Sequence, residues 1–236
     1  MKFPAVLACS LAVLAATAPI TTAGTVVGIG NGGNIPANAP IASAGDFTSD
    51  IVIPAGGIVA PGNAVTVILK GLNHGWSGDL IATLSYIDSE GNTICSANLF
   101  SRPARTSDRP SGAWAQFGAA GPTGDNYWFN SDFTGDLSAV ASTLGFADFI
   151  PGEQGDPNNY GRFFTTDAGT VKNSFSYSFT GLDVSAGTWR LTITDASDHG
   201  FGAGALGDIG SLIGWELDIQ IADLSAITSR ARSPKH

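Results

Sequence analysis

The chain has 236 residues, 20 acidic against 11 basic, for a formal net charge of −9, and 43% of its residues are hydrophobic. All the acidic residues lie between Asp46 and Asp223. A body this acidic repels phosphate backbones and anionic lipid, which argues against nucleic acid or an anionic membrane surface as a partner.

At the N-terminus, Lys2 precedes an uncharged apolar run from Phe3 to Ala18 and then small residues ending in Thr21-Thr22-Ala23. That order is the charge, apolar stretch and cleavage site of a secretory signal, so residues 1–23 read as a signal peptide cut after Ala23. The run is shorter than the roughly 20 residues that span a bilayer, and no membrane span is expected. The protein is therefore expected outside the cell or at its surface. Cys9 leaves with the signal, so Cys95 has no disulfide partner; within Thr93-Ile94-Cys95-Ser96-Ala97 it reads as a buried, inert thiol on a strand.

Residues 24–45 hold many Gly, Asn and Pro and few large apolar side chains, which suits an extended lead-in better than a packed element. Gly28-Ile29-Gly30-Asn31-Gly32-Gly33 has the glycines of a phosphate loop, yet Pro36 follows almost at once and no helix opens there. From Asp50 onward the period is two. Val65, Val67 and Leu69 alternate with Thr66 and Lys70, and Asp79 to Ile87 reads as a central strand, apolar on both faces. Phe175, Tyr177 and Phe179 alternate with serines, and Trp189, Leu191 and Ile193 with Arg190, Thr192 and Thr194. A last strand sets Trp215, Leu217, Ile219 and Ile221 against Glu216, Asp218 and Gln220. Such half-buried strands pair antiparallel. The one helix candidate is Leu137 to Leu144, inside an irregular stretch from about Gly135 to Lys172 that has the look of an insertion. Many short strands and almost no helix predict an all-β domain over residues 46–224, a two-sheet antiparallel β-sandwich of jelly-roll type, followed by a basic flexible tail at 225–236.

Two stretches go beyond generic strand patterning. One holds Gly187-Thr188-Trp189-Arg190-Leu191-Thr192-Ile193-Thr194-Asp195, then Gly207-Asp208-Ile209-Gly210-Ser211-Leu212 and Trp215-Glu216-Leu217-Asp218-Ile219. The other runs His74-Gly75-Trp76-Ser77-Gly78-Asp79-Leu80, then Gly124-Asp125-Asn126 and Ser131-Asp132-Phe133. In order and spacing they resemble the P domain, or P/Homo B domain, that follows the catalytic domain of proprotein convertases and occurs in many secreted bacterial proteins. The resemblance covers about residues 46–222. The turn after Asp195 is longer than the family's, and the chain holds no subtilisin-like triad: His74, His199 and His236 stand in the wrong settings and no Gly-Thr-Ser occurs. No catalytic residue is assigned.

Loop oxygens are the clearest candidate chemistry, because calcium takes six to eight of them from carboxylates, Asn and carbonyls. The resemblance implies that Asp79, Asp125 and Asp132, with Asn126, come together around a structural calcium ion. Asp195, Asp198 and Asp208 flank the long turn as a second cluster. The alternative is that these carboxylates cap their own turns. Three scattered His and one mature Cys offer no zinc spacing. Glu90, Glu153 and Glu216 suggest no pair poised across a glycosidic bond. Trp76, Trp114, Tyr127 and Trp128 lie outside the strict alternation, where an exposed ring stacks on a sugar and a hidden one simply packs; of these, Trp76, Trp114 and Trp128 are the candidate platforms. The sequence thus reads as a secreted, non-catalytic, calcium-stabilised interaction or structural module whose partner is an extracellular protein or polysaccharide. A carbohydrate-binding module at a cell wall is the alternative, and an accessory domain for subtilisin-like proteolysis the third.

Overall fold

The computed structural model describes residues 22–36, 46–54, 56–106, 115–118, 126–144, 148–149, 161–167, 171–196 and 210–222. The predicted signal peptide up to residue 21, the tail from 223, Trp114, Asp125, Asp198 and Asp208 lie outside them.

The strands are β1 (Thr22–Ile35), β2 (Asp46–Ile51), β3 (Val65–Lys70), β4 (Leu80–Ile87), β5 (Thr93–Ser101), β6 (Gln116–Phe117), β7 (Asn126–Phe129), β8 (Asp148–Phe149), β9 (Arg162–Phe163), β10 (Thr188–Asp195) and β11 (Gly210–Ala222). Two helices, α1 (Leu137–Leu144) and α2 (Phe175–Ser178), complete the set. One sheet has the order β1-β11-β3-β7-β9 and the facing sheet β2-β10-β4-β5. Pairing is antiparallel except for the short β6/β8 and β7/β9 contacts. The chain folds as an all-β sandwich. No helix among the described residues is long and apolar enough to cross a membrane.

The alternating side chains of β3, β10 and β11 point as their period predicts. Trp189, Leu191 and Ile193 meet Val65, Val67, Leu69, Trp215, Leu217 and Ile219 in one buried core. Trp189 sits among Tyr86 and Phe179, with ring centroids at 4.8 and 5.4 Å, and its indole N–H donates to the Val184 carbonyl. β4 is an interior strand as expected, while Ser77–Asp79 just before it forms a 3₁₀ turn. Cys95 is half-buried on β5 rather than fully buried.

Two expectations are corrected. Residues 24–35 are not a lead-in but most of β1, paired with β11 from Gly24↔Ile221 to Ile35↔Gly210. The predicted cleavage after Ala23 leaves this pairing in place from Gly24 onward. Its inward positions include Gly28 and Gly30, where Trp215 and Ile51 occupy the space a side chain would take. The apolar Val27 and Ile29 face solvent instead, Ile29 at 77% exposure. Residues 175–178, expected as a strand, form a single helical turn, because Phe175 and Phe179 are four apart and both enter the core.

On the outer face of the five-stranded sheet Glu216 pairs with Lys70 and lies beside Asp218. Burial, and then the neighbouring Glu216 carboxylate, make Asp218 hold its proton to higher pH than an ordinary aspartate, with Lys70 opposing. The folded state thus binds this proton more tightly than the unfolded chain. Its contribution to stability is full below the unfolded pKa and is lost as pH rises through the folded one. Asp218→Asn should therefore raise the melting temperature at pH 7 and leave it unchanged near pH 3, which scanning calorimetry at the two pH values checks.

Candidate functional site

β3 leaves the first sheet at Lys70, and the chain crosses through Asn73 and His74 to the 3₁₀ turn that opens β4 in the second sheet. The crossing is held by main-chain pairs: Asn73 exchanges both hydrogen bonds with Ser211, and His74 both with Phe117. His74 is thereby set under Gly210, where any Cβ would stand 2.6 Å from the ring's Cδ2.

Four charged or titratable side chains converge at this end of the sandwich, and all are buried: His74 at 1%, Asp195 at 2%, Asp79 at 3% and Arg102 at 5% exposure. His74 Nδ1 lies 3.1 Å from the Trp76 amide nitrogen and 3.0 Å from the Trp76 carbonyl oxygen, so the main chain of Trp76 fixes the ring's orientation. Nε2 faces Asp195 Oδ2 at 3.5 Å, an electrostatic contact slightly longer than a hydrogen bond. Arg102 adopts a left-handed φ of 47°, donates from Nε to the Gly78 carbonyl at 3.2 Å and lies 3.9 Å from Asp79 Oδ1. Asp79 and Asp195 are also tied through the backbone, since the Ala196 amide donates to the Asp79 carbonyl at 2.7 Å. A guanidinium, an imidazole and two carboxylates thus form a buried polar knot joining the β3–β4 crossing, the end of β5 and the end of β10. Side chains this enclosed offer no surface to a substrate; what the knot can do is lock three chain segments in register.

The sequence-derived metal set divides on this geometry. Asp79 and Asp195 come together, but as partners of Arg102 and His74. Asn126 opens β7 opposite Lys70. Asp132 follows the far end of β7, in an open cleft with Asn63 and Lys172, at the opposite end of the sandwich from Asp79. Asp79 and Asp132 therefore do not share an ion. Among the described residues no group of three or more His, Cys, Asp or Glu is placed to hold a metal. At Asp79 and Asp195 the donor set does not fit calcium, because a guanidinium and an imidazole already face the carboxylates.

The tryptophans are also dispersed. Trp76 is half-buried in the crossing, and Tyr127 is no platform at all, for β7 turns it into the core against Phe117. Trp128 is half-buried on the outer face of β7, with the Arg162 guanidinium 5.9 Å from its ring centroid. Arg102 escaped the sequence reading because nothing in Ser101-Arg102-Pro103 announces a left-handed residue or a carboxylate partner. Tyr177 escaped it because its period of two mimicked a strand.

No protein-family model matches the chain, and no curated protein matches it. Two solved structures are similar. A serine protease of Aeromonas sobria matches with a TM-score of 0.34 and 18% identity, over 83% of this chain and 27% of that one. The complex of Aeromonas sobria serine protease with its chaperone matches with a TM-score of 0.34 and 16% identity, over 85% of this chain and 27% of that one. The chain thus spans about a quarter of the length of the chains it matches.

Proposed function

We propose that the chain is a secreted, non-catalytic, P-domain-like β-sandwich that works by binding an extracellular protein or polysaccharide. The observation that carries this reading is the buried knot. The two segments that bear the resemblance, His74 to Leu80 and Trp189 to Asp195, close on each other there through His74–Asp195 and the Asp79 carbonyl. Residues that would otherwise be candidates for acid–base chemistry are used to hold the sandwich together. The outer face of the five-stranded sheet supports a binding role, for Val27, Ile29 and Ile213 are exposed apolar side chains there. Calcium belongs to this proposal only through Asn126 and Asp132 and through Asp125 and Asp208 outside the described residues.

Expressed from its first Met, the protein should be recovered from the medium with Gly24 as its first residue. It should release no soluble product from casein or from dye-linked polysaccharides. Retention in the cytoplasm contradicts export, and product release contradicts a purely binding role.

A further inference from the structure

The conversion of residues 175–178 from strand to helical turn changes where Tyr177 points. On a strand, residues two apart share a face; on a helical turn, the residue midway between two that are four apart lies opposite them. Phe175 and Phe179 are fully buried with ring centroids 5.3 Å apart, and Tyr177 is turned outward at 62% exposure. It stands at an open cleft of about 560 Å³, within the roughly 300–1,000 Å³ typical of ligand sites.

The cleft's polar walls are fixed from behind. Asn130 donates to the Asn63 carbonyl at 3.0 Å and accepts the Asp132 amide at 2.8 Å, so one buried side chain positions two lining residues. Across the cleft, Asn173 donates to Asp167 at 3.0 Å and to the Asn98 carbonyl at 2.9 Å, and accepts the Phe175 amide. The Ser176 amide donates to Ser131 Oγ at 3.2 Å, tying α2 to the end of β7. Among the described residues, neither the Asp132 carboxylate nor the Asn63 side-chain amide makes a hydrogen bond. The site therefore combines an exposed aromatic face, a carboxylate acceptor, an amide that both donates and accepts, and the Lys172 ammonium.

That combination matches a sugar. A pyranose has an apolar C–H face to lie on a ring and hydroxyls that donate to a carboxylate and accept from an amide or ammonium. An apolar peptide has little to bury in walls this polar. Two carboxylates, Asp132 and Asp167, outweigh one ammonium in the lining, and the whole chain is at −9, which disfavours an acidic chain. We propose that this cleft binds a neutral saccharide chain, with Tyr177 as the stacking platform and Asp132, Asn63 and Lys172 as hydroxyl partners. The assignment rests on the reading of the protein as an extracellular binding module, and names its ligand class.

Titration calorimetry of the mature protein with cellohexaose, xylohexaose, mannohexaose and chitohexaose, and with hexagalacturonate as the acidic comparator, tests it. At least one neutral chain should bind. Tyr177→Ala should weaken that binding about tenfold or more and Tyr177→Phe by less than about threefold, since the ring and not the hydroxyl does the stacking. Asp132→Ala should weaken it as well, and Trp128→Ala should not. An unchanged melting temperature for Tyr177→Ala separates lost binding from lost folding. Binding by none of the neutral chains, binding that survives Tyr177→Ala, or binding of hexagalacturonate alone overturns the proposal. If the protein binds none of the sugars yet is held by a protease-sensitive surface component, the saccharide site fails while the binding-module reading stands.

Discussion

Gly30→Val should destabilise the protein by about 3 kcal/mol, or roughly 6–12 °C in melting temperature, although the change adds apolar surface to a strand. A Cβ at position 30 would fall 1.9 Å from Trp215 Nε1 and 2.4 Å from its Cε2. Those atoms belong to a fully buried indole at the centre of β11, whose N–H donates to Ser49 Oγ on the facing sheet at 2.9 Å. The ring cannot retreat without breaking that bond and opening a void in the core. Gly24, on the same strand, has nothing within 4 Å of its virtual Cβ, so Gly24→Ala is the control and should leave stability nearly unchanged. Chemical denaturation of the three proteins measures the difference. A double variant, Gly30→Val with Trp215→Leu, should cost less than the sum of its parts, because each change relieves the crowding or the gap the other makes.

Asp79→Ala should be worse, with a loss of about 3–5 kcal/mol, because it strips a carboxylate from beside a buried guanidinium. Arg102 is 5% exposed, its amide donates to the Leu80 carbonyl and its Nε to the Gly78 carbonyl, so the guanidinium left without its carboxylate is a buried charge. Ion pairs at the surface set the scale. Arg190 and Asp50 meet in a bidentate pair at 2.7 Å, but both side chains are 41% exposed, and Asp50→Ala should cost no more than about 1 kcal/mol. Equilibrium unfolding of the two variants side by side checks the contrast; equal losses would mean that the knot does not hold the end of the sandwich.

The strands that could be read from the sequence are those whose core face is built from large apolar side chains. β3, β10 and β11 announce themselves through Val65, Val67, Leu69, Trp189, Leu191, Trp215 and Leu217, and α1 through its own short amphipathic run. β1 was illegible because its pattern is inverted. Glycines face the core, where the Trp215 ring and Ile51 fill the room they leave, and Val27 and Ile29 face water. No window of hydrophobicity over residues 24–35 reports a partner strand almost 200 positions later. α2 was illegible for another reason, since Phe175 and Phe179 satisfy a period of two and a spacing of four equally well. The surrounding serines fit a strand's polar face, and tertiary packing decided the matter. Asp79 and Asp195 were picked out from the sequence, but as metal ligands, since the guanidinium and the imidazole that meet them come from other segments of the chain.

The same residues mark what the fold leaves free to act. Polar groups at one end are consumed by the knot. At the other, Asn130 and Asn173 brace a cleft lined by the exposed Asp132 and Tyr177 and the half-buried Asn63. A binding module needs that kind of preorganised rim, because side chains already fixed lose little freedom on capture.

The most direct measurement is sedimentation of the mature protein with insoluble cell-envelope polymer, with the supernatant assayed for both protein and released product. The account predicts that the protein pellets with the polymer, that periodate oxidation of the polymer abolishes the binding, and that no soluble sugar or peptide appears. Protein left in the supernatant would contradict the saccharide site, and polymer degraded into soluble fragments would contradict a purely binding role.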